Sequence, residues 1–320
     1  MLVNARDIKN VPGRKTDIGD SKWLAGLLRY GLLRGSFIPD REFRQWRDLT
    51  RLRKKYVLSI GDYKRRTQKL FESANIKVDS VVSDLFGVTG RNLMSLLSSN
   101  RPKITLEEVC SCVGGKLKGK ENELYRSIQG FFTEHHRFLL RTLLRTIQSL
   151  DEDVIRIEKR ISMAMRQGND IAERLKEIPG ISETAARDIL SEVGTNLATF
   201  PKASSLASWA GPGKRKSGRS PVLKHHLKSI MVEVAHAAVR KNGSYYKDKY
   251  YRLKAKCGSR KAIVAIDHRI LKAVYYVIKE GASFVDLGES FLALRNKERK
   301  LKYVRKQAAL LGFHLVPENA

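Results

Sequence analysis

From Leu49 onward the apolar or semi-apolar positions fall at Leu49, Leu52, Tyr56, Ile60, Tyr63, Thr67, Leu70 and Ala74, always three or four residues apart. Steps of that size keep one face of a helix apolar and fit no strand. A second run, Leu139, Leu143, Ile147, Leu150, Val154, Ile157 and Ile161, follows an aromatic start at Phe131, Phe132 and Phe138. No proline interrupts Glu121 to Lys176, with Gly130 and Gly168 as the places where a helix would bend or end. Helices this long pair as a coiled coil, within a chain or between chains, or build an ordinary bundle. Spacing alone leaves the two open. The segment between them, 76–120, is punctuated by Gly87, Gly90, Pro102, Gly114, Gly115 and Gly119 and reads as an irregular insert. Farther on, Lys224 to Arg240 and Arg260 to Lys279 read as helices. Period-two alternation is scarce, and Met1-Leu2-Val3-Asn4 reads as the end of a strand. The expected class is mainly α.

The charge narrows the partner. The chain carries 62 Lys+Arg against 33 Asp+Glu, a formal net charge of +29. Residues 201–260 alone hold 15 cations and 2 acids. Self-repulsion on that scale is offset most simply by a bound polyanion, with nucleic acid the first candidate and an anionic membrane the second. No window approaches 18 consecutive apolar residues, and the N-terminus lacks a signal-peptide pattern, which disfavours the membrane. A hydrophobic content of 42% excludes wholesale disorder. Cys110, Cys112 and Cys257 are too few and wrongly spaced for a disulfide framework or a zinc site, so Cys110-Ser-Cys112 reads as incidental. A reduced, cytoplasmic protein facing nucleic acid is expected.

Four stretches carry chemistry. Asp17 and Asp20 open a helix that ends near Tyr30, and carboxylates three apart on one helical face can share a divalent cation. The same residues would equally serve as a cap and offset the helix dipole. In Glu177-Ile-Pro-Gly-Ile-Ser182, one helix ends before Pro179 and another starts under a Ser182 cap. That is the outline of a helix-hairpin-helix, in which Gly180, Ile181 and Ser182 would offer turn amides and a helix N-terminus to a DNA phosphate. A packed αα-hairpin has the same outline. The basic loop 210–220 sets Lys214, Arg215, Lys216 and Arg219 around Ser217, cations suited to phosphate and a hydroxyl suited to hydrogen bonding or attack. Finally, Ser244 to Arg252 interleaves tyrosines with cations, either for stacking on bases or as a helix with its tyrosines packed inward.

Several further stretches occur in a telling order: Val3-Asn4, Pro12 to Ser21, Ser36-Phe-Ile-Pro39, Arg47-Asp-Leu-Thr-Arg51 and Thr133-Glu-His-His-Arg-Phe-Leu-Leu140. They are followed by Ile178-Pro-Gly-Ile181, Phe200-Pro201, Leu206-Ala-Ser-Trp-Ala-Gly211, Lys261-Ala-Ile-Val-Ala265 and Asp286-Leu-Gly288. In that order they resemble the DEDD-type insertion-sequence transposases, the group that includes the Piv invertases. The resemblance spans essentially the whole chain. It implies a RuvC-like N-terminal domain whose four acids bind divalent metal, Mg2+ first among them, and a C-terminal domain bearing a nucleophilic serine. It implies double-stranded DNA as substrate, an element-encoded guide (bridge) RNA in some members, and a homo-oligomer that brings DNA ends together. The last two of the family's acids fall on Asp17 and Asp20, which favours metal over capping there.

The chain departs from the family pattern in two places. The family's first Asp and its Glu lie upstream of the Asn4 region, so the expectation is a chain that begins partway through the RuvC-like domain. Gly211 passes almost directly to Gly213-Lys-Arg-Lys-Ser217, where family members hold a longer stretch with the nucleophile, and Leu223 stands where glycine is usual. Ser217 is then the candidate substitute. The expected architecture is a remnant of an RNase H/RuvC-like α/β domain at 1–40, a long helical, coiled-coil-like region at 41–170 and a C-terminal transposase domain at 171–320, with the hairpin at 175–194. The expected function is a DNA recombinase that moves its own element, with a non-catalytic DNA- or RNA-binding remnant as the alternative.

Overall fold

The computed structural model describes residues 3, 17–33, 35, 38, 40–99, 103–210 and 226–313. Among them are thirteen α-helices and no strand. Of the strand end expected at Met1–Asn4, Val3 alone is among the described residues, and it forms an isolated antiparallel bridge with Gly35. The described residues divide into two compact units, one drawn from 1–47 and 165–320 and the other from 48–164.

In the 48–164 unit, helix α2 (Arg41–Ser73, entering from the other unit) and helix α6 (Glu134–Ala164) lie side by side. They run antiparallel: Arg53 meets Glu158 at 3.5 Å near one end, while Phe71 and Leu140 share a core at the other. The face read from the sequence is the buried one at Ile60, Thr67, Leu70 and Ala74. Leu143, Leu150, Val154 and Ile157 of α6 are only half buried. The insert between these helices is more ordered than its glycines suggest. Helices α3 (Val88–Ser98), α4 (Leu106–Cys112) and α5 (Glu121–Ser127) wrap a core in which Leu93, Met94, Val109 and Leu124 are buried against Leu70 and Phe71. Thr105 caps α4 in a reciprocal capping box with Glu108.

The helix expected from Glu121 is broken at Gly130, where the chain crosses behind the end of α2. Phe131 N–H donates to the Ala74 carbonyl at 2.8 Å, and a Cβ on Gly130 would stand 2.3 Å from that oxygen. Only glycine lets the backbones approach so closely.

The other unit begins with α1 (Asp17–Arg29) and continues with α7 (Asn169–Lys176), α8 (Glu183–Val193), α9 (Ala203–Trp209), α10 (His226–Ala238), α11 (Tyr245–Cys257), α12 (Ser259–Glu280) and α13 (Phe291–Leu310). Its centre is α12, against which α9, α10 and α11 all pack. Ala262, Ile263, Ile266, Ile270, Leu271, Val274, Val277 and Ile278 are buried at steps of one, three or four, so α12 presents a broad apolar face to them. Tyr275 on that face donates to the Phe200 carbonyl at 2.9 Å, and Phe200 packs on Trp209 of α9.

Candidate nucleic-acid interface

The α7–α8 hairpin forms where the sequence places it. Ser182 accepts a hydrogen bond from Ala185 N–H at 3.2 Å and caps α8. Gly180 takes φ +88°, and a Cβ there would meet the Val234 carbonyl at 2.4 Å and the Ala238 amide nitrogen at 2.6 Å. The turn is therefore seated on the backbone of α10, with Ile178, Pro179 and Ile181 buried and Ser182, Glu183 and Thr184 exposed. The apolar side of the turn thus holds the fold together, as in a packed hairpin, and the first turn of α8 remains open to solvent.

The end of α8 is tied down by charge. The Arg47 guanidinium lies 3.2 Å from the Glu192 carboxylate through Nε and donates from Nη2 to the Glu192 carbonyl at 2.7 Å. Glu192 is fully buried. The Arg47-Asp-Leu-Thr-Arg51 stretch thus has a structural use, and its partner, 145 residues away, has no local signature in the sequence.

Asp286-Leu-Gly288 is explained in the same way. The Asp286 carboxylate accepts from the Tyr245 amide at 2.9 Å and from the Gly288 amide at 3.1 Å, fixing the start of α11. Partial burial pushes this carboxyl up, but those two amides, the Ser244 hydroxyl and Lys241 bring it below its ordinary value. Along α11 the tyrosines divide: Tyr246 is buried and stacked on Phe284, and burial raises its phenol, whereas Tyr251 is exposed beneath the Lys254 ammonium.

Asp17 and Asp20 occupy the first turn of α1, three residues apart. Their side chains lie outside the described residues, as do Lys214, Arg215, Lys216, Ser217 and Arg219 of the basic loop. Oxygen donors suit a hard divalent cation, and Mg2+ is commonly held by one or two carboxylates together with waters and substrate phosphate. Asp17 and Asp20 fit such a cation as part of a set. Among the described residues no cluster of three or more His, Cys, Asp or Glu could hold a metal, and Cys110, Cys112 and Cys257 are free thiols.

Sequence reasoning missed one titratable group altogether. Asp267 sits in the middle of the apolar face of α12, 1% exposed, with neither carboxylate oxygen hydrogen-bonded. Burial raises its pKa to about 7, with Lys228 acting in the opposite direction.

Two family models match the chain. A DEDD transposase model for IS110 elements covers residues 1–76, and the transposase IS116/IS110/IS902 family model covers residues 172–252. Both matched stretches, one at each end of the long helical region, are those of IS110 transposases. Comparison with curated proteins returned no match. The first match extends through α1 and all of α2, and the second runs from within α7 into α11, taking in the hairpin and α10. A transposase match implies DNA binding, and the DEDD match suggests use of a divalent metal. No helix of the chain is long and apolar enough, among the described residues, to cross a membrane.

Proposed function

We propose that this chain is the DNA recombinase of an insertion sequence, acting in the cytoplasm on double-stranded element DNA as a homo-oligomer, with a guide RNA as a further partner. The observation that carries this reading is the ordered pair of transposase matches in a chain of net charge +29. Residues 1–40 would be the RuvC-like part, 41–170 the helical arm and 171–320 the transposase domain.

Each set of residues has a part to play. Asp17 and Asp20 would hold Mg2+, which supplies charge neutralisation at the scissile phosphate. The helix-hairpin-helix would position a DNA strand through the exposed first turn of α8, with Gly180 and Ile181 setting the turn and Ser182 at the phosphate. Lys214, Arg215, Lys216 and Arg219 would grip the flanking phosphates and favour ionisation of the Ser217 hydroxyl. Attack by Ser217 Oγ on phosphorus forms a serine phosphodiester and releases a deoxyribose hydroxyl, which takes up the proton that serine gives up. Attack by a second hydroxyl on that ester rejoins the strand and restores the serine.

The test is cleavage of a supercoiled plasmid carrying the element's ends, with and without Mg2+. Metal-dependent nicking that Asp17→Ala and Ser217→Ala both abolish is expected, with duplex binding retained. Nicking that survives in Asp17→Ala refutes the metal assignment. A second reading, a DNA- or RNA-binding protein of the same descent without strand transfer, is favoured by the short passage from Gly211 to Ser217. It predicts steeply salt-dependent binding and no cleavage with any divalent metal.

A further inference from the structure

Helices α11, α12 and α13 enclose a cavity of about 500 Å3. Six cations line it: Lys249, Arg252 and Lys256 from one stripe of α11, Arg269 from α12, and Arg295 and Arg299 from α13. A second concavity, of about 540 Å3, shares Arg252 and Arg299 and is lined also by Lys297 and Lys300 of α13. One carboxylate answers this charge locally: Asp248 accepts from Arg252 Nε at 2.8 Å. Arg269 turns one Nη toward the Tyr245 hydroxyl, at 3.2 Å. Partial burial lowers the pKa of the Lys249 ammonium, and Arg269, Lys256, Arg252 and Arg295 push it down further. Like charges converge on a concave surface at a cost to the folded state that a bound anion would remove.

The shape distinguishes among anions. Arg295 and Arg299 stand one helical turn apart, about 6 Å along the axis. Lys249, Arg252 and Lys256 likewise extend about 10 Å along α11, so the cations are drawn out along the cleft instead of being focused on a point. A single phosphate would engage one end of the cleft, whereas a chain of phosphates would follow it.

We propose that the α11–α13 cleft binds the phosphate backbone of one nucleic-acid strand, through residues other than those assigned to the hairpin, to Asp17 and Asp20, and to the 210–220 loop. The proposal rests on the reading of the protein as nucleic-acid-directed, and not on its being catalytic. The sequence signal was present but divided: the α11 stripe belongs to the aromatic-basic stretch, while Arg269 and the α13 arginines join it only in three dimensions.

The experiment is fluorescence anisotropy of a labelled thymidine oligomer of about 12 nucleotides, a length in the range that single-strand sites span, titrated with the full chain in EDTA. Two cleft pairs are compared with wild type, Lys249→Gln/Arg269→Gln and Arg295→Gln/Arg299→Gln. A control pair, Lys302→Gln/Lys306→Gln, removes equal charge from α13 outside the cleft. The second cleft pair lies on a helix with a single buried residue, Leu292, so its fold is insensitive to the change. Each cleft pair is expected to weaken binding about 25-fold near 0.1 M salt and to lower the salt slope by about 1.4, while the control changes little. If all three pairs fall together, the effect belongs to the general field and the cleft proposal fails.

Carbon-13 NMR of labelled lysine side chains, with Lys249 assigned by its Gln variant, separates the anion sources. The oligomer is expected to raise the Lys249 titration midpoint. If inorganic phosphate raises it as far and displaces the oligomer, the site takes a free anion and the strand proposal is overturned. Because EDTA prevents metal-dependent cleavage, failure of the recombinase reading leaves this measurement untouched.

Discussion

Asp267 offers a direct test of the packing around α12. Its carboxyl is raised from 3.8 to about 7 by burial. The folded protein therefore keeps a proton that the unfolded chain releases between about pH 4 and pH 7. The folded state binds more protons in that window, so stability falls as pH rises through it. The contribution is fully present below about pH 4 and is lost above about pH 7, a difference on the order of 4 kcal/mol. Asp267→Asn removes the titration and preserves the shape. Relative to wild type, the variant should gain on the order of 4 kcal/mol between about pH 4 and pH 8, with other carboxyls cancelling in the comparison. Urea unfolding followed by tryptophan fluorescence suits the question, because Trp23, Trp46 and Trp209 all lie in the unit that contains Asp267. A difference between the two proteins that stays constant across this range refutes the argument and places water or a partner group at the carboxylate.

Other changes test the remaining tethers. Glu192→Ala strands the Arg47 guanidinium and should destabilise the same unit by about 3 kcal/mol in the same assay. Gly180→Ala combines a left-handed backbone with a Cβ thrust against the Val234 carbonyl, and should cost at least about 2 kcal/mol. Gly180→Ala should lower the melting temperature in calorimetry, whereas Ser182→Gly, which loses a cap but no packing, should cost only a few tenths of a kcal/mol.

Much of the helical architecture was legible because it is written locally. The steps from Ile60 to Ala74 mark the buried face of α2, although Leu52 of the same run is exposed, the Pro-Gly-Ile-Ser passage marks the hairpin, and Ser182 marks the start of α8. Gly130 and Gly168 stand in the breaks that flank α6. The order of the insert was not legible. Its short helices are held by burial against Leu70 and Phe71, residues of α2, and not by any long periodic run of their own. The acids and the serine loop were legible as candidates from local sequence, but only the resemblance favoured metal over a cap at Asp17 and Asp20.

The sequence by itself determined a basic, mainly helical chain carrying the marks of an insertion-sequence transposase, since charge, periodicity and motif order are properties of the string. Only the tertiary structure decided which of those residues meet. It paired Arg47 with Glu192, set Gly180 on α10, anchored α11 through Asp286, buried Asp267 without a partner, and gathered Arg269, Arg295 and Arg299 beside the Lys249 stripe. These meetings join segments tens to more than a hundred residues apart. They arise because apolar faces must bury one another, and where that burial carries polar groups is not encoded at any single position.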